Sequence, residues 1–183
     1  MQARQAEVAN YERAYRNADY RLGDLRRAHI TDHLDRLPRG SLLDVSTGRG
    51  EVLAIARHLG FAPVIGTEAV DYLCNHEDVF PALAHALPFD DKSFDIVTMF
   101  DVMEHLVPED TCLVCEELVR VARSRVLLTV HNDPHRYRGQ DLHINRRESH
   151  EAWFSELREH FAPYTVISHG VGNSISAMYE VRL

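Results

Sequence analysis

Apolar and polar positions along the chain follow a helical period at the start and then change to short apolar runs. Apolar residues recur at helical spacing over residues 3–18 and again over residues 23–40. Pro38 and Gly40 are helix-ending residues and close the second segment. Residues 1–40 are therefore predicted to form a helical cap in front of a differently patterned core.

From residue 41 onwards, short apolar strands alternate with amphipathic helices. Five predicted strands lie in SLLDVS, APVIGTE, FPALAHALPF, SFDIVTMFD and RVLLTVHN. SFDIVTMFD is apolar on both faces, which is typical of a buried parallel strand. Helices are predicted in GEVLAIARHLG, from Pro108 to Ala122, and in HEAWFSELREHF with Ser149 as its cap. This alternation predicts a parallel sheet covered by helices on both faces.

The C-terminal pattern predicts two more strands, PYTVISHG and SISAMYEVRL, joined by a turn at Gly170, Gly172 and Asn173. Parallel neighbours need a longer crossover, so two strands joined by a short turn must be antiparallel. The expected fold is an α/β domain with a seven-stranded, mostly parallel sheet and one antiparallel strand near the C-terminus. No linker or repeat divides residues 1–183, which predicts a single domain with a core over residues 41–183.

Composition narrows the class of protein. Apolar residues make up 45% of the 183 residues, which is enough for a hydrophobic core. The formal net charge of −8 argues against a general affinity for nucleic acid. No apolar run is long enough for a membrane span, and the polar N-terminus with three cysteines predicts a cytoplasmic protein. Cys112 and Cys115 lie on one amphipathic helix and are expected to be core residues.

A glycine-containing turn, Ser46 to Gly50, follows the first strand of the predicted core. It lacks the lysine of a phosphate-binding Walker loop. It also lacks the third glycine of a dinucleotide fingerprint, because that position is Leu53. Glu68 ends the next strand and is placed to accept the ribose hydroxyls of an adenosine, although a carboxylate there can also merely cap the strand.

Four segments together resemble the class I S-adenosylmethionine-dependent methyltransferases. They are LLDVSTGRGEVL, VIGTE, ALPFDDKSFDIVTMFDVMEHL and RVLLTV, in the order and spacing of that family between residues 41 and 130. The resemblance implies a Rossmann-like fold, S-adenosyl-L-methionine as cofactor, and methyl transfer as the reaction.

The resemblance also implies roles for residues of the first two strands. Asp44 would orient the turn and receive the amino group of the cofactor, and Glu68 would hold its ribose. The methionine and ribose parts would pass the turn at Ser46, Thr47, Gly48 and Gly50. Ser46 departs from the family, which usually has a glycine there.

Further cofactor contacts are implied after the second, third and fourth strands. Ala69, Ala86 and Leu87 would lie against the adenine, and Phe100 and Asp101 would line the methionine end. His85 stands near the position where many relatives have an aspartate that binds the adenine amino group. It would stack on the adenine, accept a hydrogen bond or simply be exposed.

Histidines supply the candidate catalytic groups. His143 lies in DLHINRR, which resembles a loop of methyltransferases that act on sugars and other small molecules. His143, His105 and His131 are therefore candidate general bases, with structural or solvated histidines as the alternative. The segment HNDPH offers His131, Asp133 and His135 to a divalent ion. No metal site is predicted from the sequence.

Other polar groups flank the expected acceptor side. Tyr11, Tyr15, Tyr20 and Arg21 belong to the predicted cap, where they would hold the cofactor carboxylate or pack in the core. Four arginines form either an anion-binding face or a solvated one: Arg136, Arg138, Arg146 and Arg147.

The expected function is methyl transfer to a small-molecule or sugar-like acceptor, since little chain lies outside the catalytic core. The motif N-P-P-[YF] of amino-methylating DNA enzymes is absent from the corresponding segment, FDVMEH. A non-catalytic protein that binds the same cofactor is the alternative. A dinucleotide oxidoreductase is disfavoured by Leu53.

Overall fold

The computed structural model describes residues 2–17, 21–137, 140–171 and 176–183. Within these ranges the α-helices are α1 (Gln2–Tyr15), α2 (Asp24–Asp35), α3 (Glu51–His58), α4 (Thr111–Val121) and α5 (His150–His160). Four residues named in the sequence predictions lie outside the described residues: Tyr20, Arg138, Gly172 and Asn173. None of the helices in the described part of the chain combines the length and apolar character needed to cross a membrane.

The strands are β1 (Leu42–Val45), β2 (Val64–Glu68), β3 (Val79–Pro81), β4 (Phe94–Phe100), β5 (Ala122–His131), β6 (Arg136–Tyr137), β7 (Gln140–Asp141), β8 (Thr165–Gly170) and β9 (Ser176–Arg182). Seven of them form one sheet in the order β3-β2-β1-β4-β5-β9-β8. Six strands of this sheet run in one direction, and β9 runs in the opposite direction between β5 and β8. The predicted mixed sheet of seven strands is confirmed.

Three local predictions need correction. The third strand begins at Val79, before FPALAHALPF, and most of that segment forms a turn with a single bridge between Leu83 and Ala86. β6 and β7 form a small antiparallel ribbon after β5, in a polar segment where the sequence predicts no strand. Cys115 is buried as expected, but Cys112 is exposed, because it points away from the face that α4 packs on the sheet.

Both faces of the sheet carry a hydrophobic core, as its apolar central strands require. On one face, α4 and α5 cover the sheet with side chains such as Leu118, Trp153 and Phe161. On the other face, α2 and α3 supply Ile30, Leu34 and Leu53 among others. Helix α5 begins where the sequence predicts, since the Ser149 hydroxyl accepts a hydrogen bond from the Ala152 amide at 3.2 Å.

The strand order reverses at β1, and this reversal determines where the site lies. The chain passes from β1 to β2 on one side, and β4 pairs with β1 on the other. In an open α/β sheet, this reversal leaves a crevice beyond the carboxyl ends of the two strands. The turn Ser46–Gly50 and the segment after Phe100 both lie at this end.

Candidate functional site

The turn after β1 is held in an unusual backbone conformation. Gly48 and Gly50 have φ angles of 58° and 76°, and Ser46 also adopts a positive φ of 60°. A Cβ added at Gly48 would collide with the Tyr15 hydroxyl of α1. The Thr47 amide donates to the Thr67 carbonyl at 2.8 Å, which ties the turn to the end of β2. Glycine is therefore required at position 48 both by the positive φ and by the close approach of Tyr15.

Glu68 lies under this turn with its carboxylate fixed by backbone donors. Its Oε2 accepts from the Gly48 amide at 2.7 Å, and its Oε1 accepts from the amides of Ala69 at 2.8 Å and Val70 at 3.0 Å. A carboxylate offers about four acceptor positions, so one is left for an incoming hydroxyl. Burial raises the pKa of Glu68, while the three amides oppose that shift.

Asp44 lies behind the turn on β1 and not in the crevice itself. Its Oδ1 accepts a hydrogen bond from the Thr98 hydroxyl of β4 at 2.6 Å. The side chain is only 2% exposed, and this burial raises its pKa to about 7 against the opposing effect of the Thr98 hydrogen bond. Asp44 therefore couples β1 to β4 directly beneath the point where the turn leaves the sheet.

One cleft lies between α1 and the ends of β1, β2 and β4, and we call it the α1 cleft. It contains six of the predicted cofactor-binding residues: Ser46, Glu68, Ala69, His85, Phe100 and Asp101. Its remaining lining is largely apolar. It includes seven residues that were not predicted as cofactor contacts: Val8, Val70, Leu83, Ala84, Val102, Leu106 and Val107.

A second cleft, the histidine cleft, lies between the turn, the start of α2 and the ends of β4 and β5. Its lining is mostly polar: Arg21, Arg26, Ser46, Thr47, Arg49, Glu51, Asp101, Glu104, His105, His131, His135 and His143. Gly48 and Phe100 contribute to it as well. The two clefts share Tyr15, Ser46, Phe100, Asp101 and His105. They are therefore adjacent chambers with a common wall at the end of β4.

The three predicted catalytic histidines form one cluster. The ring centroid of His143 lies 4.6 Å from that of His105 and 4.8 Å from that of His131. His105 Nδ1 donates to the Leu142 carbonyl at 3.0 Å, and His143 Nδ1 donates to the Asp133 carbonyl. The Nε2 atom of each of these two neutral rings is therefore a hydrogen-bond acceptor.

The protonation of the cluster follows from its burial. Desolvation lowers the pKa of His143 to about 4 and that of His105 well below its ordinary value, and the neighbouring histidines add to both shifts. Burial likewise lowers the pKa of His131, and Arg26 reinforces that shift. All three rings are neutral at pH 7.

Two charged residues of this region were not predicted as site residues. Glu104 is fully buried, and its Oε1 accepts from the His131 amide at 3.0 Å. Arg26 pairs with Asp101 at 3.0 Å, donates to Ser176 at 3.0 Å and reaches His131 Nδ1 at 3.3 Å. Glu104 lies within the motif that carries the family resemblance, whereas Arg26 looks like any polar position of an amphipathic helix.

Several predicted residues lie away from both clefts. Ala86 is exposed, and Leu87 is a buried core residue whose amide donates to Glu117 at 2.7 Å. Gly50 is the N-cap of α3. His85 lines the α1 cleft but turns toward Asp110, with 3.7 Å between its Nδ1 and the carboxylate, where Asp110 also pairs with Arg4.

The arginines after β5 have structural partners where they are described. Arg147 pairs with Glu156, and its guanidinium lies 4.4 Å from the Trp153 ring. Arg146 pairs with Asp141 at 3.3 Å. Among the described residues, the arginines that line the histidine cleft are Arg21, Arg26 and Arg49.

Comparison with known proteins agrees with the fold. The family model of a methyltransferase domain matches residues 43–130. The matched segment is a methyltransferase domain, consistent with the class I S-adenosylmethionine-dependent methyltransferases, which use S-adenosylmethionine as cofactor. It matches no curated protein sequence at a significant level.

Solved structures with the same fold have low sequence identity to this chain. A SAM-dependent methyltransferase from Aquifex aeolicus is 18% identical with a TM-score of 0.61, over 85% of this chain and 87% of that one. The 1,6-didemethyltoxoflavin-N1-methyltransferase of Burkholderia thailandensis is 21% identical with a TM-score of 0.60, over 85% of this chain and 75% of its own. The small RNA methyltransferase HEN1 is 18% identical with a TM-score of 0.67, over 88% of this chain and 25% of its own.

Proposed function

We propose that the protein methylates a polar small molecule, such as a sugar-like compound, bound in the histidine cleft. The observation that carries this proposal is the common wall of the two clefts at Ser46, Phe100 and Asp101. A cofactor in the α1 cleft that extends its methionine end past this wall would present its methyl group to the histidine cleft. Methyl transfer needs only such an approach of about 3 Å in line with the breaking bond.

The chemistry of the α1 cleft supports its use for the adenosine part of the cofactor. Its apolar lining suits a flat purine, and Ala69 and His85 lie on its wall. Glu68 keeps one acceptor position of its carboxylate for a ribose hydroxyl. Ser46, Thr47 and Gly48 would follow the methionine part, with Asp44 supporting the turn from behind. Gly50, Ala86 and Leu87 lie outside the cleft. They would affect cofactor binding only indirectly, by supporting the backbone and the packing of the residues that line it.

The chemistry of the histidine cleft supports a polar acceptor. Arginine, carboxylate, hydroxyl and imidazole groups surround it, so a ligand there has both donors and acceptors to meet. The acceptor proton would pass to a neutral imidazole, with His143 as the first candidate and His105 and His131 as the others. Because HEN1 is named as a small RNA methyltransferase, RNA is the acceptor class that a test must include.

We also propose that residues 1–183 act as one domain in which residues 1–40 form the cap. Tyr11 and Tyr15 of α1 line the α1 cleft, and Arg21 and Leu22 line the histidine cleft, so both chambers are completed from this segment. A cytoplasmic location stays a prediction.

Cofactor binding is tested by calorimetry with S-adenosylhomocysteine. Glu68→Gln is expected to weaken binding at least tenfold. The amide has only one accepting oxygen and no charge, so it cannot accept from the three backbone amides and from a ribose hydroxyl as the carboxylate can. Glu77→Gln is the matched control, since Glu77 is exposed and lies outside both clefts. Equal affinities of the two variants would contradict the role of Glu68.

Acceptor class is tested with S-adenosylmethionine carrying a labelled methyl group. The panel contains hydroxylated small molecules and short single- and double-stranded RNAs. Label in a small molecule, lost in the His143→Gln and His105→Gln variants, is the expected result. Label in RNA alone would overturn the proposed acceptor, and cofactor binding without transfer to any member would favour a non-catalytic partner protein.

A further inference from the structure

Glu104, His131 and His143 form a compact group of metal-ligating side chains at the floor of the histidine cleft. One ligand atom from each lies within 4.8 Å of the other two. All three side chains are buried, with exposed fractions of 0%, 8% and 3%. The residues come from three separate segments, namely the turn after β4, the end of β5 and the loop after β7.

Two of the buried polar atoms in this group have no hydrogen-bond partner among the described residues. They are Glu104 Oε2 and His131 Nε2. Asp101 Oδ1, on the neighbouring turn, is in the same condition. Buried polar atoms are nearly always paired, so several such atoms at one place indicate a ligand that completes them. Two buried carboxylate oxygens without a donor favour a cation here, and His131 Nε2 can join them once its proton has moved to Nδ1.

The surrounding contacts orient the side chains as metal ligands are usually oriented. His143 Nδ1 donates to the Asp133 carbonyl, which fixes the ring and leaves Nε2 with its lone pair. Glu104 Oε1 accepts from the His131 amide, which directs Oε2 away from the backbone. A backbone carbonyl on the second imidazole nitrogen and a hydrogen bond on the second carboxylate oxygen are the ordinary supports of such ligands.

His131 requires one rearrangement. Arg26 can only donate, so its contact with Nδ1 places the ring proton on Nε2. A cation at Nε2 moves this proton to Nδ1 and ends the 3.3 Å contact with Arg26. Arg26 already holds Asp101 and Ser176, so it keeps two partners after that change.

The donor set identifies the class of ion. Two imidazole nitrogens and one carboxylate suit Zn²⁺, Mn²⁺, Co²⁺ or Fe²⁺, whereas Ca²⁺ and Mg²⁺ prefer a shell made of oxygen atoms. Bonds of about 2.1 Å in a tetrahedral site separate the ligand atoms by about 3.4 Å. Since the ligand atoms lie within 4.8 Å of one another, the three side chains need to close by at most about 1.4 Å around the ion.

We propose that Glu104, His131 and His143 bind one divalent first-row transition-metal ion, with its open coordination positions facing the histidine cleft. This set shares only His131 with the HNDPH segment, whose His131, Asp133 and His135 are the alternative that the sequence offers to a divalent ion. Asp133 Oδ2 lies 4.0 Å from His131 Nε2, but the Asp133 side chain is 73% exposed and does not belong to the buried group.

The consequence for catalysis rests on the proposed function. An ion at this place would bind an oxygen of the acceptor and lower the pKa of a coordinated hydroxyl. His131 and His143 would then be ligands. His105, whose Nε2 is an acceptor and which lines both clefts, would be the remaining histidine that can take the proton.

The test is a titration of the full chain with Mn²⁺, followed by electron paramagnetic resonance, and with Co²⁺, followed by visible absorption. One equivalent is expected to bind, with nitrogen couplings from two imidazoles in the pulsed Mn²⁺ spectrum. His143→Gln and Glu104→Gln are each expected to weaken binding at least tenfold. The nitrogen couplings of the wild-type protein remain decisive even where a variant folds poorly.

The matched control is His33→Gln. His33 belongs to a second trio of histidines, in which its ring centroid lies 4.7 Å from that of His29 and 5.1 Å from that of His169. Unchanged binding in this variant is expected. No binding of Mn²⁺, Co²⁺ or Zn²⁺ to the wild-type protein at millimolar concentration, or an equal loss in His33→Gln, would overturn the proposal. Calorimetry with S-adenosylhomocysteine on the same samples shows separately whether the cofactor site is intact.

Discussion

Replacing Asp44 by asparagine tests how much stability the protein loses by burying an ionisable carboxyl group beneath the glycine turn. The substitution keeps the shape of the side chain and can keep the hydrogen bond with Thr98, whose hydroxyl is able to accept as well as donate. It removes the charge that burial disfavours. We therefore expect Asp44→Asn to raise the free energy of unfolding at neutral and alkaline pH.

The magnitude follows from the pKa of Asp44, which burial raises from 3.8 to about 7. Since the folded state binds the proton more tightly, Asp44 reduces stability as pH rises from the unfolded pKa to the folded one, and the loss is constant above pH 7. Each pKa unit corresponds to about 1.4 kcal/mol, so the cost grows by about 3 kcal/mol between pH 5 and pH 8. The advantage of the asparagine variant should grow by the same amount.

The assay is urea denaturation of both proteins at pH 5, 6, 7 and 8, with the difference in free energy of unfolding plotted against pH. Taking the difference removes the contributions of all other titrating groups. Asp95→Asn is the control, because the Ser41 hydroxyl and amide lower the pKa of Asp95: this variant should be less stable than the wild type by an amount that does not change between pH 5 and pH 8. A pH-independent difference for Asp44→Asn would refute the reasoning, since it would mean that Asp44 is ionised at no cost.

Three further substitutions test packing and backbone strain through thermal or urea denaturation. Ser46→Gly should stabilise the fold by about 0.5–1 kcal/mol. The left-handed conformation costs a residue with a side chain about 1–2 kcal/mol, and the greater conformational entropy of glycine in the unfolded chain cancels part of this gain. An unchanged midpoint would contradict this. Gly48→Ala should destabilise by about 1–2 kcal/mol or more, and adding Tyr15→Ala should recover only the part due to the collision. Leu118→Ala in the core should cost about 2–5 kcal/mol, against less than about 0.5 kcal/mol for Leu25→Ala, which is 68% exposed.

The order of the elements could be predicted from the sequence because both faces of the central strands are buried. Every residue of β1 and most residues of β4 are buried, and the alternation of such strands with helices leaves few topologies. The edge of the sheet was harder to predict. β3 has only three residues, and its neighbours Leu83 and Ala86 form a turn instead of a strand, so local composition carries little signal there.

The site could be predicted where the backbone itself sets it. Ser46, Gly48 and Glu68 belong to consecutive connections at one end of the sheet, and their order along the chain brings them together. Arg26 could not be predicted in this way, since its contacts are with Asp101, His131 and Ser176, which are between 75 and 150 residues away in sequence. Such contacts depend on how α2 packs, which no local pattern contains.

Helix α1 is attached to the rest of the molecule at the very place where ligands are expected. Arg4 pairs with Asp110, Tyr11 packs on His105, and Tyr15 lies against Gly48, all along the wall of the α1 cleft. Occupancy of the cleft and seating of this helix are therefore thermodynamically linked: a ligand that strengthens these contacts must slow amide hydrogen exchange in α1, and one that replaces them must accelerate it. The exchange rate of a single surface helix thus becomes a reporter of cofactor binding, and by the same linkage a substitution in α1 far from the sheet can alter cofactor affinity without touching the cofactor.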